Sequence, residues 1–272
     1  GLGDVYKRQL LSRMADDDSG RMMRAALQKR GVDDRFVFSD PDTGTSTCIV
    51  LIKENAQRSF LTFKGCLRNF GDGDIDYTCV RQARLVSIGG LFSLPSFDRS
   101  ASIRLLQAAK DAGCITVVDT KYDAFHIGLQ GIGNLLEYTD YFFPSYDEAA
   151  ALSGLTEPAQ IARFFRSRGA KHVGVKLGAD GCYVCSNAFC GTVAPFCTSV
   201  LDTTGAGDNF MAGLIHGVLR GWTIQDCVTF ANAAGALACS RLGATSDLDY
   251  LQPIRNILSQ TEAGTRLVKE GI

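Results

Sequence analysis

Residues 201–210 read LDTTGAGDNF and place three small residues, Gly205, Ala206 and Gly207, directly before the carboxylate of Asp208. The apolar spacing of the following residues predicts a helix over about 207–220. Backbone amides in a glycine-rich turn that opens a helix point outward, and the helix dipole adds partial positive charge there. This stretch therefore predicts an anion site, above all for phosphate.

A carboxylate at the rim of a phosphate site weakens anion binding, so Asp208 needs a chemical reason to be there. Removal of a proton from a hydroxyl group that attacks phosphorus supplies such a reason. The alternative is an ordinary glycine-rich turn in which Asp208 only caps the helix.

The stretch resembles the C-terminal signature of the ribokinase-like (PfkB) family of carbohydrate kinases, which has the form D-T-x-G-A-G-D. Asp202 and Thr204 stand at matching positions, which favours the signature over a simple capping turn. The resemblance implies that Asp208 is the general base and that the segment 205–207 forms an anion hole. It also allows a monovalent cation such as K⁺ near this loop, with Asp202 and Thr204 as the matching residues.

From Arg84 onward the sequence alternates short apolar strands with amphipathic helices. Strands are predicted at 85–88, 115–118, 141–143 and 173–176, and helices at 101–112, 135–138, 161–168, 207–220 and 224–241. Near-continuous apolar strands between helices are typical of a parallel sheet that helices cover on both faces. Because ligands bind at the carboxyl edge of such sheets, we expect strand-end residues such as Gly90 and Asp119 to border a site.

The first third of the chain predicts a helix at 22–29 and paired strands at 47–52 and 59–63. These strands resemble the family's β lid, for which we expect strands within 36–64 and substrate contacts at Gly44 and Gly90. The fold class implied is α/β and ribokinase-like, with a mostly parallel central sheet between helices and a small β lid. The resemblance also allows a homodimer formed through the lid.

The resemblance covers residues 11–272, which we interpret as one kinase domain. Residues 1–10 match nothing in the family, so we expect a non-native leader and a copy that lacks the first strands of the sheet. A sheet without those strands exposes apolar edges, which predicts a poorly soluble or inactive protein.

Residues 140–149 are similar to the family's D-x-x-x-P-N-x-x-E-A segment. Glu148 matches the glutamate that holds Mg²⁺, usually through water, whereas Ser145 stands where the family has asparagine. A glutamate that only stabilises the first turn of its own helix is the alternative.

Residues 175–181 resemble the family's v-K-L-G-x-x-G strand end, whose glycines let the backbone approach the nucleotide. Lys176, Gly178 and Gly181 are the matching residues, and a hairpin turn without a ligand is the alternative. Residues 230–244 resemble the small-residue helix and following turn that border adenine, with Asn232 and Gly243 as nucleotide-binding residues. Tight helix packing explains the small residues of this segment equally well.

Composition narrows the class of protein. The formal net charge is −1, so no basic surface predicts binding to nucleic acid or membranes. Charged residues interrupt every apolar run before about 18 residues, and the first residues do not have the apolar core of a secretory signal. We therefore expect a cytoplasmic protein that binds neither nucleic acid nor a membrane. The family resemblance implies a small-molecule sugar as its partner.

The 10 cysteines do not follow the pattern of a small secreted domain, so we expect them to be reduced and mostly buried. The spacing of Cys182 and Cys185, which precede Cys190 and Cys197, permits zinc. The β-rich surroundings and the irregular later spacing favour scattered strand cysteines instead.

The function expected from the sequence is ATP-dependent phosphorylation of a sugar hydroxyl, with ATP and Mg²⁺ as the resemblance implies. A nucleoside kinase of the same family is one alternative. A non-catalytic relative that binds a sugar or a nucleotide is another, and the intact Asp208 argues against it because a binding protein has no need of a base.

Overall fold

The computed structural model describes residues 8–52, 58–244 and 251–269. Its strands are β1 (Arg8–Gln9), β2 (Ser12–Ala15), β3 (Val32–Asp33), β4 (Val37–Asp40), β5 (Thr47–Ile52), β6 (Arg58–Phe63), β7 (Leu85–Leu91), β8 (Ile115–Thr120), β9 (Tyr141–Phe142), β10 (His172–Lys176), β11 (Cys182–Cys185) and β12 (Cys190–Val193). Its α-helices are α1 (Asp18–Lys29), α2 (Tyr77–Arg81), α3 (Pro95–Asp98), α4 (Ala101–Asp111), α5 (Gly128–Gly131), α6 (Tyr146–Ser153), α7 (Pro158–Arg166), α8 (Ala206–Leu219), α9 (Ile224–Cys239), α10 (Leu251–Leu258) and α11 (Glu262–Lys269). Short 3-10 helices lie at Gly65–Asn69, Asp72–Asp74, Leu135–Tyr138 and Gly178–Asp180.

Within the described residues the central sheet has the strand order β12-β11-β10-β9-β8-β7. The strands from β7 to β10 run parallel, and β11 and β12 extend the sheet as antiparallel strands. Val117 and Val118 of β8 are both fully buried, as expected for a strand with helices on both faces. The α/β class with a mostly parallel sheet between helices is therefore confirmed.

Consecutive residues of a strand point to opposite faces, so neighbours in β8 enter different cores. Val118 packs in a core with residues of α4, α6 and α7, whereas Val117 packs in a core with residues of α8 and α9. A Cβ on Gly213 of α8 would lie 2.9 Å from the Cα of Ala231 in α9. The small residues of this helix pair therefore allow the two backbones to approach closely.

The neighbouring strands β7 and β8 both continue past their predicted ends. β7 was expected to stop at Gly89 and Gly90 but runs to Leu91, and β8 includes Asp119 and Thr120. Gly90 has φ +97, and the register between β7 and β8 shifts between Gly89 and Leu91. The glycines therefore provide an irregular step inside β7, where the sequence pattern predicted the end of the strand.

The N-terminal part forms three small sheets, in which β1 pairs with β3, β2 with β4 and β5 with β6. The predicted pair at 47–52 and 59–63 is the antiparallel hairpin of β5 and β6. β4 pairs in parallel with β2 and lies outside the hairpin of β5 and β6, so this lid hairpin covers only part of the predicted range 36–64. Its apolar side chains Ile49, Leu61 and Phe63 are exposed.

Two helix predictions need correction. α1 begins at Asp18, before the predicted start at Met22, because Asp17 caps it and accepts a hydrogen bond from the backbone N of Gly20. Residues 135–138 form a 3-10 helix, a common form for so short a connection.

The boundary predicted at residue 10 stays a prediction, although Arg8 and Gln9 pair with Val32 and Asp33.

The expectation that all cysteines are reduced is wrong for one pair. Cys185 and Cys190 form a disulfide across β11 and β12, with their Cα atoms 4.1 Å apart. They are direct partners in the register of these strands, which a reading of spacing alone could not show. In the described part of the chain no group of three or more His, Cys, Asp or Glu residues has a metal-binding arrangement. Nor does any described helix have the length and apolar character to cross a membrane.

Candidate functional site at the carboxyl edge of the sheet

The glycine-rich turn of residues 203–206 opens α8 through a left-handed residue. Gly205 is the N-cap, with φ +79, a conformation that side-chain-bearing residues rarely adopt. A Cβ at this position would also lie 2.7 Å from the carbonyl oxygen of Ala244, so the turn has no space for a side chain. The backbone N of Ala206, the first residue of α8, donates a hydrogen bond of 3.2 Å to the carbonyl oxygen of Thr203. The amides that follow it in the first turn have no partner within the helix and are available to an anion.

Asp202 stabilises this turn through hydrogen bonds to its carboxylate. One carboxylate oxygen accepts hydrogen bonds from the backbone N of Thr204 at 2.9 Å and from its hydroxyl at 2.7 Å. The other accepts a hydrogen bond from the backbone N of Gly243 at 2.9 Å. Asp202, Thr204 and Gly243 are thus brought together, and the turn is tied to the segment that follows α9.

Asp208 lies in the first turn of α8, and its side chain is 67% exposed. Its carboxylate is 3.9 Å from the ammonium of Lys121, which directly follows β8. The base predicted from the sequence is therefore accessible to a substrate and faces the ends of the parallel strands.

Lys176, at the end of β10, lies beside the same turn. Its ammonium is 3.7 Å from the position that a Cβ on Gly207 would take. It donates a hydrogen bond of 2.6 Å to the carboxylate of Asp119, and both side chains are largely buried. Burial raises the pKa of the Asp119 carboxyl above its usual value, and the attraction of Lys176 opposes this shift. A second cation is therefore held close to the glycine-rich turn of residues 203–206, which is the predicted anion site and is called the anion turn below.

Glu148 forms the reciprocal cap of α6 and is also bound to the end of β8. Its Oε2 atom accepts hydrogen bonds from the backbone N of Ser145 at 3.1 Å and from the hydroxyl of Thr120 at 2.7 Å. The helix-stabilising role left open by the sequence is therefore present. The same contacts hold the carboxylate at the sheet edge, where it lines a cavity of about 310 Å³ together with Lys121.

Glu148 is a suitable oxygen donor for Mg²⁺, since this ion commonly keeps several waters and takes few protein carboxylates. Within the described residues it belongs to no metal-binding cluster of three or more acidic, His or Cys residues. The donor set therefore fits an ion held mainly by water and phosphate oxygens.

Four of the predicted nucleotide residues, Lys176, Gly178, Gly181 and Asn232, lie in or close to the hairpin of β10 and β11, whereas Gly243 is bonded to Asp202. Gly178 and Gly181 both have positive φ, and a Cβ on Gly181 would lie 2.3 Å from the carbonyl oxygen of Val193. Asn232 is buried in α9, and its side-chain amide donates to the carbonyl oxygens of Val193 and Ala194. The contacts of Gly181 and Asn232 give these two residues a structural role. Contact of any of the three residues with a nucleotide stays a prediction.

The two glycines predicted to contact substrate lie in different surroundings. Gly90 supports the stem of Lys121, because a Cβ at residue 90 would lie 3.1 Å from the Cγ of that lysine. Gly44 lies at the base of the lid hairpin, where a Cβ would lie 3.4 Å from a carboxylate oxygen of Asp17. Gly90 is therefore linked to Asp208 through Lys121, and Gly44 belongs to the junction of α1 and the lid.

Sequence reasoning missed Lys121 as a member of the site. A signal was present, because Lys121 directly follows the buried strand β8 and polar residues at the carboxyl ends of parallel strands tend to face ligands. The missing information was the position of Asp208 relative to that strand end, which depends on how α8 packs on the sheet.

Comparison with known proteins places these features in a family. The model of the pfkB family carbohydrate kinases matches residues 6–250. Fructokinase-2 of Oryza sativa subsp. japonica is 25% identical over 267 residues, covering 92% of this chain and 79% of that protein.

Two solved structures share the fold. Arabidopsis thaliana ribokinase complexed with ribose and ATP has a TM-score of 0.74 and 27% identity, covering 88% of this chain and 78% of that one. A putative ribokinase II from E. coli in complex with ATP and Mg²⁺ has a TM-score of 0.82 and 24% identity, covering 94% of this chain and 84% of that one.

Proposed function

The chain belongs to the pfkB family of carbohydrate kinases, and on this premise we propose that it transfers the γ-phosphoryl group of ATP to a hydroxyl group of a sugar. The observation that carries the proposal is the position of Asp208 in the first turn of α8, directly after the glycine-capped turn and facing the strand ends. An anion-binding helix start and an accessible base are the two elements that phosphoryl transfer to a hydroxyl requires.

In the proposed reaction Asp208 accepts the proton of the sugar hydroxyl as its oxygen attacks the γ-phosphorus. A new oxygen–phosphorus bond forms, the bond from the γ-phosphorus to the bridging oxygen breaks, and ADP leaves with the electron pair. The amides of residues 205–207 donate hydrogen bonds to the charge that develops on the phosphoryl oxygens. In oxyanion holes, removal of one such donor lowers kcat by a factor of about 10²–10³.

We assign the nucleotide to the side of the site formed by Lys176, Gly178, Gly181, Asn232 and Gly243. Glu148 is the residue proposed to hold Mg²⁺ through water, and the bound ion supplies positive charge that neutralises the nucleotide phosphates. For a monovalent cation such as K⁺, the proposed residues are Asp202 and Thr204. In the structure they stabilise the turn that such an ion would border.

The sugar is proposed to lie between Asp208 and the lid, bordered by Gly90 and Gly44. The exposed apolar side chains of the lid hairpin support the further proposal of a homodimer formed through this surface. Fructose and ribose are the first sugars to test, because the rice relative is named a fructokinase and the Arabidopsis neighbour is a ribokinase with bound ribose.

The test is ADP release from ATP in the presence of fructose, ribose, 2-keto-3-deoxygluconate or a nucleoside, with mass spectrometry of the product. We expect ADP and a sugar phosphate in equal amounts with at least one sugar, and no ADP without an acceptor. Phosphorylation of the nucleoside alone would assign a nucleoside kinase instead. Binding of ATP and a sugar without any ADP would contradict the proposal and favour a non-catalytic relative.

A further inference from the structure

Lys121 is held at the site by the ends of two strands. Its backbone N donates a hydrogen bond of 2.8 Å to the carbonyl oxygen of Leu91, which fixes the start of its side chain beside β7. The stem then passes over Gly90, whose missing side chain leaves the necessary space. The ammonium ends 3.9 Å from the carboxylate of Asp208, on a different element of the fold.

Besides Asp208, the charged side chains of Lys176, Asp119, Glu148 and Lys121 lie at or are bonded to the strand ends near the glycine-rich turn. Lys176 is beside Gly207, but it is largely buried and committed to Asp119 at 2.6 Å. Glu148 is bound to Thr120 and carries the opposite charge.

Lys121 differs from Lys176, because its side chain is 54% exposed and its contact with Asp208 is longer than a hydrogen bond. An exposed ion pair of this kind contributes little to stability, so little is lost when the lysine changes partner.

We propose that Lys121 contacts the transferring phosphoryl group and is a catalytic residue of the reaction proposed above, on which this inference rests. A phosphoryl group bound at the amides of α8 lies next to Asp208. The ammonium of Lys121 approaches this phosphoryl position from the other side, where β7 and β8 end. A lysine is suited to this task, because it carries a compact charge on a flexible stem. Lys121 leaves Asp208 for the phosphoryl oxygens as Asp208 takes the hydroxyl proton.

The alternative is that Lys121 only orients Asp208, and the two roles differ in nucleotide binding. A cation that contacts the γ-phosphoryl group strengthens the binding of a non-hydrolysable ATP analogue relative to ADP. We expect Lys121→Met to reduce this preference by about tenfold or more, as for the loss of a charged hydrogen bond. Because the effect does not pass through the base, it should be equally large in an Asp208→Asn background.

The experiment measures dissociation constants for the analogue and for ADP by calorimetry, and kcat with the best sugar. Lys121→Arg should restore most of the preference and part of kcat, and Lys269→Met, at an exposed lysine of α11, should change neither. An unchanged preference in Lys121→Met would overturn the inference, as would an effect that vanishes in the Asp208→Asn background. Failure of the wild-type protein to phosphorylate any acceptor would instead count against the proposed function, because the binding ratios are measured without an acceptor.

Discussion

The ammonium of Lys176 lies 2.6 Å from the carboxylate of Asp119, and this buried pair joins the ends of β10 and β8. Because β9 lies between those strands, the pair passes over the end of β9. It also holds a cation next to Gly207. One contact therefore links the stability of the sheet edge to the charge at the anion turn.

Removal of one member of this pair should be costly, because it leaves a buried charge without compensation. We expect Lys176→Met to lower the free energy of unfolding by about 3–5 kcal/mol. The double variant Lys176→Met/Asp119→Asn should recover most of the loss. Chemical denaturation at pH 7 measures both.

Lys171→Met is the matched control, because Asp140 keeps its second partner, Lys110, in that variant. It should cost about 1 kcal/mol or less. Equal losses in Lys176→Met and Lys171→Met would contradict the importance given to the pair of Lys176 and Asp119.

The turn that opens α8 should not tolerate a side chain at Gly205. Gly205→Ala introduces a Cβ 2.7 Å from the carbonyl oxygen of Ala244 in a left-handed conformation. Gly221→Ala is the control, because Gly221 has φ +73 and nothing within 4 Å of its Cβ position. We expect the control to lose about 1 kcal/mol of stability and Gly205→Ala to lose clearly more. Gly205→Ala should also lose ATP binding, because the changed turn carries the predicted anion site. Similar losses of stability in the two variants would show that the contact with Ala244 is unimportant.

Asp98 should make stability depend on pH. Its side chain is buried, its Oδ1 atom has no hydrogen-bond partner, and burial raises its pKa from 3.8 to about 6. A raised folded-state pKa means that the folded protein favours the protonated form, so stability falls as the pH rises from the unfolded value to the folded one. Above that interval the ionised carboxylate costs about 3 kcal/mol.

Asp98→Asn removes this charge and keeps an oxygen for the hydrogen bond from the backbone N of Leu94. We expect the variant to be more stable than the wild type at pH 7, and the difference to shrink toward zero near pH 4. Urea denaturation at a series of pH values measures the difference. A difference that does not vary with pH would contradict the assigned pKa.

Asp17 should control the junction between α1 and the lid. Hydrogen bonds from the backbone N and hydroxyl of Thr45, and from the backbone N of Gly20, lower its pKa from 3.8 to about 2. A lowered folded-state pKa contributes stability above the unfolded value, and this contribution is lost as the pH falls through the folded one. We expect Asp17→Ala to increase the rate of proteolysis within residues 43–63.

The neighbouring Asp16 provides the control for this experiment. Its side chain is 81% exposed and pairs with Arg21 on the surface, so Asp16→Ala should leave the proteolysis rate near that of the wild type. Equal rates in Asp17→Ala and the wild type would show that the lid is held by other contacts.

The sequence was most informative where local chemistry decides the structure. The glycine-rich turn before α8, the apolar strands around Val117 and the lid hairpin all follow from short-range patterns. The carboxyl edge of the sheet could be located for the same reason, since the order of strands and helices determines it.

Contacts between distant parts of the chain could not be predicted in this way. The approach of Lys121 to Asp208 depends on how α8 packs against the strand ends, and the pairing of Cys185 with Cys190 depends on the register of two strands. The link from Asp17 to Thr45 likewise joins a helix cap to a loop far along the chain. Each of these contacts depends on the three-dimensional positions of residues far apart in the chain, which the spacing of residues in the sequence does not determine.

The central claim is that Asp208 is the base of a phosphoryl transfer, and Asp208→Asn tests it most directly. The measurement is kcat for ADP and sugar phosphate formation, with the dissociation constant for ATP determined on the same protein and Asp111→Asn as the control at an exposed aspartate of α4. We expect kcat to fall by about 10²–10⁴-fold in Asp208→Asn while ATP binding stays close to that of the wild type. A kcat for Asp208→Asn equal to that of the wild type and of Asp111→Asn would contradict the account.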